Sequence, residues 1–101
     1  ILPHAIRFNA DVVAPQLIPA AQAMRISTNG TGPSVVMETL AQKVSDLVAE
    51  MNLPQCLRDV GTIQESDLPR LAQLASQNHT IQNNPKPISE GQLEALLRNA
   101  W

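Results

Sequence analysis

Residues 33–54, PSVVMETLAQKVSDLVAEMNLP, form the longest periodic stretch of the chain and decide its fold class. Apolar residues recur here at spacings of three and four, the pattern of one buried stripe on an α-helix. The predicted stripe consists of Val36, Leu40, Val44, Leu47, Val48 and Met51. Pro33 after Gly32 is typical of a helix start, and Asn52 with Pro54 is typical of a helix end. We therefore expect one long amphipathic helix whose apolar face other helices cover.

The N-terminal part of the chain carries helical spacing that turn formers and prolines interrupt. Residues 1–9 predict a short buried amphipathic helix, or the tail of a longer one. Residues 9–11, Asn-Ala-Asp, predict a turn, after which the helical spacing resumes. Pro15 and Pro19 favour a second helix that starts near Gln16, because proline is best tolerated in the first helical turn.

The segments on either side of the long helix predict a loop and a single helical turn. Residues 27–32, STNGTG, predict a loop, because Asn-Gly and Thr-Gly steps favour turns. Residues 53–61 predict one helical turn that Gly61 ends, with Leu57 and Val60 facing the core.

The C-terminal segments predict two further helices and a connector. One helix is expected to begin within residues 64–67 with Ser66 as its cap, and residues 80–87 are expected to form an irregular, extended connector. Ser89 and Gln92 have the spacing of a capping box that opens the last helix. The inward stripe of the first of these helices is predicted to be Leu68, Leu71, Ala72 and Ala75. Since no segment has strand periodicity, we predict an all-α bundle of about five helices.

Composition excludes several classes of partner. A chain of 101 residues is one domain or a piece of one. The formal net charge of -2 and the aromatic content of 2% offer neither a basic patch for phosphates nor rings for base stacking, so nucleic acid is not an expected partner. No apolar run approaches the roughly 20 residues of a membrane span. The single cysteine, Cys56, cannot form an internal disulfide, which favours a cytoplasmic location.

The residues by themselves reveal no complete active site. His4 and His79 are the only histidines, and their separation does not have the spacing of a metal site. The chain has no Gly-x-Ser-x-Gly elbow, and its glycines match neither the Walker nor the dinucleotide-binding pattern. We assign no catalytic residue, no cofactor-binding residue and no metal ligand.

Five short motifs, taken in order, give the chain a family resemblance. They are ILPHAIRFN (1–9), LRDVG (57–61), ESDLPRLAQLA (65–75), NNPKPIS (83–89) and LLRNAW (96–101). This succession resembles the C-terminal end of the iron-containing (group III) alcohol dehydrogenases. Each motif is weak singly, whereas their order and spacing cover essentially the whole chain.

The resemblance implies a larger parent enzyme with a dehydroquinate-synthase-like fold. Such a parent has an N-terminal nucleotide-binding domain and a helical domain, uses NAD(P), and holds a divalent metal, Fe or Zn, through one aspartate and three histidines. Residues 1–101 then correspond to the later part of the helical domain, and the nucleotide-binding domain and the metal-ligand segment are expected to be absent. His4 matches a family histidine that is not a ligand. This chain alone is expected to bind no cofactor and to be inactive.

The resemblance also implies a substrate contact and a set of partners. The loop that enters the Asn-Pro motif approaches the interdomain cleft in the family, so Thr80, with His79, is expected to be substrate-binding. The expected partners are the remainder of the parent enzyme and, for the isolated chain, other copies of itself. Two other interpretations stay open: a maleylacetate reductase of the same superfamily, and a free-standing helical interaction module.

Overall fold

The computed structural model describes all 101 residues, and every regular element in it is helical. The all-α prediction is therefore confirmed. No helix combines the length and the apolar character that crossing a membrane requires. The chain divides into two compact units, Leu2–Leu53 and Pro54–Trp101, with Ile1 assigned to the second. The α-helices are α1 (Leu2–Ala23), α2 (Pro33–Glu50), α3 (Leu68–Ser76) and α4 (Glu90–Asn99), and the 3-10 helices are Leu57–Val60, Glu65–Asp67 and His79–Asn83.

Helix α1 is continuous, so the predicted turn at residues 9–11 and the predicted start near Gln16 are wrong. Asn9 is buried inside this helix, and its side-chain Nδ2 donates a hydrogen bond to the carbonyl oxygen of Ala5 at 3.1 Å. Asparagine favours turns because its side chain competes for backbone groups. Here the side chain donates to a carbonyl oxygen one turn earlier in the same helix. It therefore does not interrupt the helix at residue 9.

The two prolines of α1 lie inside the helix rather than at its start. Proline has no N–H, so Pro15 and Pro19 cannot donate the usual bonds to the residues four positions earlier. Their spacing of four places them on one side of the helix, and both are exposed to solvent. Water can therefore solvate this side, and α1 passes through both prolines.

The core of the first unit lies between α1 and the beginning of α2. Partly buried Ala10, Leu17 and Met24 pack against it. Its buried members are Ala14, Ala21, Ile26, Val36, Met37 and Leu40. The α1 members extend over several turns, whereas the α2 members come from its first two turns.

The predicted stripe of α2 is correct in its first half and wrong in its second. Leu47 and Met51 are 45% and 51% exposed, while Met37 and Ala41 are fully buried in their place. The cause is the crossing of the two helices: Arg7, near the start of α1, contacts Glu38, near the start of α2, at 2.7 Å. In a hairpin of helices running side by side, Arg7 would face the end of α2 instead. The second half of α2 therefore diverges from α1.

The contact between Arg7 and Glu38 is an exposed, forked ion pair. The guanidinium donates to both carboxylate oxygens, with Nε at 2.8 and 3.0 Å. This hydrogen bonding, followed by the charge of the arginine, lowers the pKa of Glu38. Because the Glu38 side chain is well exposed, we expect the pair to fix the crossing geometry more than to add stability.

The second unit is built from α3 and α4, which pack against each other. The predicted α3 stripe is confirmed, with Leu68 and Ala72 fully buried. The backbone N–H of Leu57 donates a hydrogen bond to the carbonyl oxygen of Ala100 at 2.8 Å, which connects the 3-10 helix to the end of α4. Val60 is exposed, so its predicted core position is wrong.

The caps of the second unit agree in part with the sequence. The Ser89 and Gln92 capping box is confirmed, with the Gln92 N–H donating to the Ser89 Oγ at 3.2 Å and the Ser89 N–H donating to the Gln92 Oε1 at 2.9 Å. Ser66 is not the cap before α3. The Asp67 carboxylate accepts the Gln64 N–H at 2.9 Å instead, because an acidic side chain at the third position reaches back to the first free N–H.

Candidate functional site

The two predicted substrate residues lie side by side at the start of a 3-10 helix. His79 and Thr80 are its first two residues, and both are exposed. The helix ends at Asn83, so the prediction of an irregular connector from residue 80 onward is wrong for its first half. Asn78 is the sequence feature that could have predicted this 3-10 helix, because asparagine just before a helix start is a favourable N-cap.

Thr80 is fixed by two hydrogen bonds to one atom. Its backbone N–H and its hydroxyl both donate to the Asn78 Oδ1, at 2.9 and 2.7 Å. The hydroxyl has a single proton, so its remaining capacity is that of an acceptor. Thr80 can therefore receive a hydrogen bond from a ligand hydroxyl. The assignment of Thr80 and His79 to substrate binding stays a prediction.

The Asn-Pro motif after this helix forms a compact turn. The Asn84 side-chain Nδ2 donates to the carbonyl oxygen of Lys86 at 2.6 Å. Asn84 has an extended backbone, as expected for the residue that precedes Pro85. The motif thus returns the chain from the 3-10 helix toward the capping box of α4.

The residues of this chain do not make up a metal site. Nowhere do three or more histidine, cysteine, aspartate or glutamate side chains come together. His4 is partly buried in α1, and this burial lowers the pKa of its imidazole. A structural or catalytic divalent ion needs at least three protein ligands in most sites. The donor set therefore does not fit a metal held by these residues alone.

The LRDVG motif has a structural role. The Asp59 carboxylate accepts the backbone N–H groups of Gln55 and Cys56, both at 3.2 Å. Hydrogen bonds from Cys56 lower the pKa of Asp59, so the carboxylate stays charged and caps the short helix. Gly61 follows with a φ of 77°, a left-handed conformation that glycine adopts without strain. The motif ends a helical turn and carries no reactive group.

A surface cavity of about 240 Å³ lies beside the start of α3. Its only charged lining groups are Asp67 and Arg70. The Asp67 carboxylate already accepts the Gln64 N–H, so the cavity offers no converging set of catalytic groups. Neither His79 nor Thr80 lines it. The complete lining is Thr62, Ile63, Asp67, Arg70, Leu71 and Leu74.

Comparison with known proteins places the sequence in one family. Residues 1–101 match the Fe-containing alcohol dehydrogenase family, C-terminal. Over 101 residues the chain is 28% identical to a 1,3-propanediol dehydrogenase of Citrobacter freundii and 29% identical to a lactaldehyde reductase of Escherichia coli (strain K12), covering 100% of this chain and 26% of each relative. It is 33% identical to maleylacetate reductase 1 of Rhodococcus opacus, of which it covers 24%.

The fold of this chain is similar to that of a solved oxidoreductase structure. A crystal structure of a 1,3-propanediol oxidoreductase superposes on 99% of this chain with a TM-score of 0.90 and 27% sequence identity. The match covers 26% of that protein, so the chain spans about a quarter of the length of its relatives. The resemblance seen in the motifs is confirmed. The chain belongs to the Fe-containing alcohol dehydrogenase family and matches its C-terminal region.

Proposed function

We propose that these residues are the C-terminal part of the helical domain of a metal-dependent, NAD(P)-linked alcohol dehydrogenase. The family match over residues 1–101 is the observation that carries the proposal, and the fold agreement with a 1,3-propanediol oxidoreductase supports it. The nucleotide-binding domain and the metal ligands belong, in this proposal, to the preceding part of the polypeptide, which is the main partner of this region. We place the enzyme in the cytoplasm, with neither nucleic acid nor membrane as a partner.

The role of this region in the reaction is to support the cleft and to contact the substrate. In the complete enzyme, a divalent metal held by residues outside this region would supply a Lewis acid for the alcohol or carbonyl oxygen, and NAD(P) would supply or take up the hydride. Thr80 supplies an acceptor for a substrate hydroxyl, because its own proton is held by Asn78. His79 is its exposed neighbour and the second candidate contact.

The test is to isolate the complete gene product and determine its mass, metal content and activity. We expect a polypeptide about four times as long as this chain, one bound divalent ion per subunit, and NAD(P)-linked oxidation of a short primary alcohol. Removal of the ion by a chelator is expected to abolish this activity, and Fe²⁺ or Zn²⁺ to restore it. A gene product that begins at Ile1 would contradict the proposal and favour a free-standing helical module.

A second candidate function is that of a maleylacetate reductase. The 33% identity to the Rhodococcus opacus enzyme favours it. Chelation separates the two candidates: an alcohol dehydrogenase of the proposed kind loses turnover with its metal, whereas the reductase implied by the resemblance needs no metal ligands. NAD(P)H-linked reduction of maleylacetate that persists after chelation would support the second candidate.

The substrate role of Thr80 predicts a defect that a conservative variant repairs. Thr80→Val removes the acceptor at almost constant volume and should lower kcat/KM of the complete enzyme by roughly tenfold, the value of one hydrogen bond. Thr80→Ser should retain activity close to that of the original enzyme. Thr39→Val is the matched control, because that exposed hydroxyl bonds only the Val35 carbonyl of its own helix. Equal activity of all three variants would remove Thr80 from the site.

We also propose that the isolated 101-residue chain self-associates. Large apolar side chains are exposed on both of its units, and such surfaces tend to be covered by association. Sedimentation velocity over a hundredfold concentration range should show a weight-average mass that rises above 10.9 kDa. A folded monomer over the whole range would contradict this. The exposed side chains are Ile1, Leu2, Val12, Val35, Leu47, Met51, Leu53, Val60 and Leu74.

A further inference from the structure

The connection between α1 and α2 contains the only asparagine of the chain that a glycine follows. Asn29 and Gly30 are both exposed, and they lie between two fixed ends, because Ile26 is buried in the core and α2 begins at Pro33. Gly30 has a φ of 72°, and a Cβ added to it would meet no atom within 4 Å. The tip of this connection is therefore open to water and unpacked.

Hydrogen bonds do not hold the two neighbouring amide groups of this pair in place. The Asn29 side-chain carboxamide and the Gly30 backbone N–H donate to no other protein atom. No backbone N–H from residue 27 to residue 31 donates to a backbone carbonyl. The Asn29 backbone carbonyl accepts the Thr31 hydroxyl at 3.4 Å, which is long for such a bond. The backbone can therefore rotate at low cost and bring the Gly30 nitrogen to the Asn29 carboxamide carbon.

These two groups can react with each other without an enzyme, because the chain already holds them close together. The ionised Gly30 nitrogen attacks the Asn29 Cγ and forms a new C–N bond, while the Cγ–Nδ2 bond breaks and Nδ2 leaves as ammonia. Water then opens the five-membered imide at either of its two carbonyl carbons. One opening gives an aspartate, and the other gives an isoaspartate, in which the main chain runs through Cγ. The net reaction consumes one water, releases one ammonia and transfers no electrons.

The fold protects the other asparagines from this reaction. Asn52 is also exposed, but the N–H that follows it belongs to Leu53 and donates to the Val48 carbonyl at 3.1 Å. An N–H that is already hydrogen-bonded must lose that bond before its nitrogen can attack. At each remaining asparagine the carboxamide or the following N–H is hydrogen-bonded. These are Asn9, Asn78, Asn83, Asn84 and Asn99.

We infer that the native fold directs spontaneous deamidation to Asn29 and makes this connection a modification site. The product carries one negative charge more than the net charge of -2 of the sequence. The new carboxylate lies outside the first turn of α2, where the helix dipole has little effect, so the α1–α2 unit is expected to stay folded. The reaction uses only water and groups of the connection itself, so the inference does not depend on the proposed function.

Timed incubation of the complete polypeptide, followed by peptide mass spectrometry, tests this inference in native and in urea-unfolded protein. In the native protein Asn29 should deamidate at least about tenfold faster than every other asparagine, and within about tenfold of its own rate in urea. The rate should rise several-fold from about pH 7 to about pH 8, because the Gly30 nitrogen attacks in its ionised form. The modified peptide should contain isoaspartate as well as aspartate, and Asn29→Gln should remove the more acidic species from ion-exchange profiles.

Leu53→Gly is the matched control, because it creates a second Asn-Gly pair whose following N–H is bonded to Val48. The two pairs should react within about twofold of each other in urea, whereas Asn52 of this variant should react at least about fivefold more slowly than Asn29 in the native protein. Equal native rates would overturn the inference, because the sequence and not the fold would then choose the site. Suppression of Asn29 by more than about tenfold relative to urea would also overturn it, since the connection would then be held or covered in the complete polypeptide.

Discussion

Ala21→Asp is expected to unfold the α1–α2 unit. Ala21 is completely buried in the core of that unit. A carboxylate there would lose its hydration without gaining a partner, at a cost of about 4 kcal/mol or more. A domain of this size is stable by roughly 5–15 kcal/mol in total, so this substitution consumes much of its stability. Urea unfolding, monitored by far-UV circular dichroism, should show a much lower midpoint urea concentration, or no folded baseline at all.

Ala20→Asp is the matched control, because Ala20 precedes Ala21 on the same helix and is exposed. It should cost no more than about 1 kcal/mol, which includes the unfavourable position of an acid near a helix C-terminus. The pH dependence gives a second check. Burial raises the folded pKa of the introduced carboxyl above its unfolded value, so the damage should be smallest below about pH 4 and should grow as the pH rises. Equal stability of both variants would show that Ala21 is not in the core.

Leu68→Ala is expected to cost about 3 kcal/mol, the typical value for a buried leucine whose removal leaves a cavity. Leu68 begins α3 and has no exposed surface. Because α3 and α4 form the second unit, the loss should appear as a lower midpoint of urea unfolding with little change in slope.

Leu74→Ala removes the same atoms from the same helix and should cost less than about 0.5 kcal/mol, since Leu74 is 53% exposed. The difference between the two leucines isolates burial from helix propensity and from side-chain chemistry. If the two variants were equally stable, the α3–α4 packing described above would be wrong.

The helices that sequence predicts well are those whose signals are local. Helix α2 begins at Pro33 as expected, and α4 begins with the predicted bonds between Ser89 and Gln92. Both features depend on residues within one helical turn of each other. Their geometry is therefore set before any tertiary contact is made.

The errors arise where a distant contact decides the outcome. Helix α1 continues through Pro15 and Pro19 because the side that carries them faces water. The sequence around the two prolines does not show which side of the helix is exposed. Periodicity predicts Leu47 and Met51 as members of the α2 stripe, because it gives a face of the helix but not the angle at which a neighbouring helix crosses it. The Arg7–Glu38 contact that reveals the crossing joins residues 31 positions apart.

The candidate site could be anticipated only through resemblance. No spacing in the sequence distinguishes Thr80 from the other threonines, and only the family resemblance at the neighbouring Asn-Pro motif indicates its loop. The structure adds the orientation of the Thr80 hydroxyl, which depends on Asn78 two residues earlier. Two polar residues at that spacing occur in many turns, so the pattern alone predicts no binding.

The bond between the Leu57 N–H and the Ala100 carbonyl bears on the order in which the chain folds during synthesis. The core of the α1–α2 unit is made by residues between Ala10 and Leu40, so we expect that unit to form while later residues are still inside the ribosome. Leu57, in contrast, has to wait for Ala100 to emerge. Until then the LRDVG turn is tethered at one end only, and this part of the nascent protein is open to proteases and chaperones.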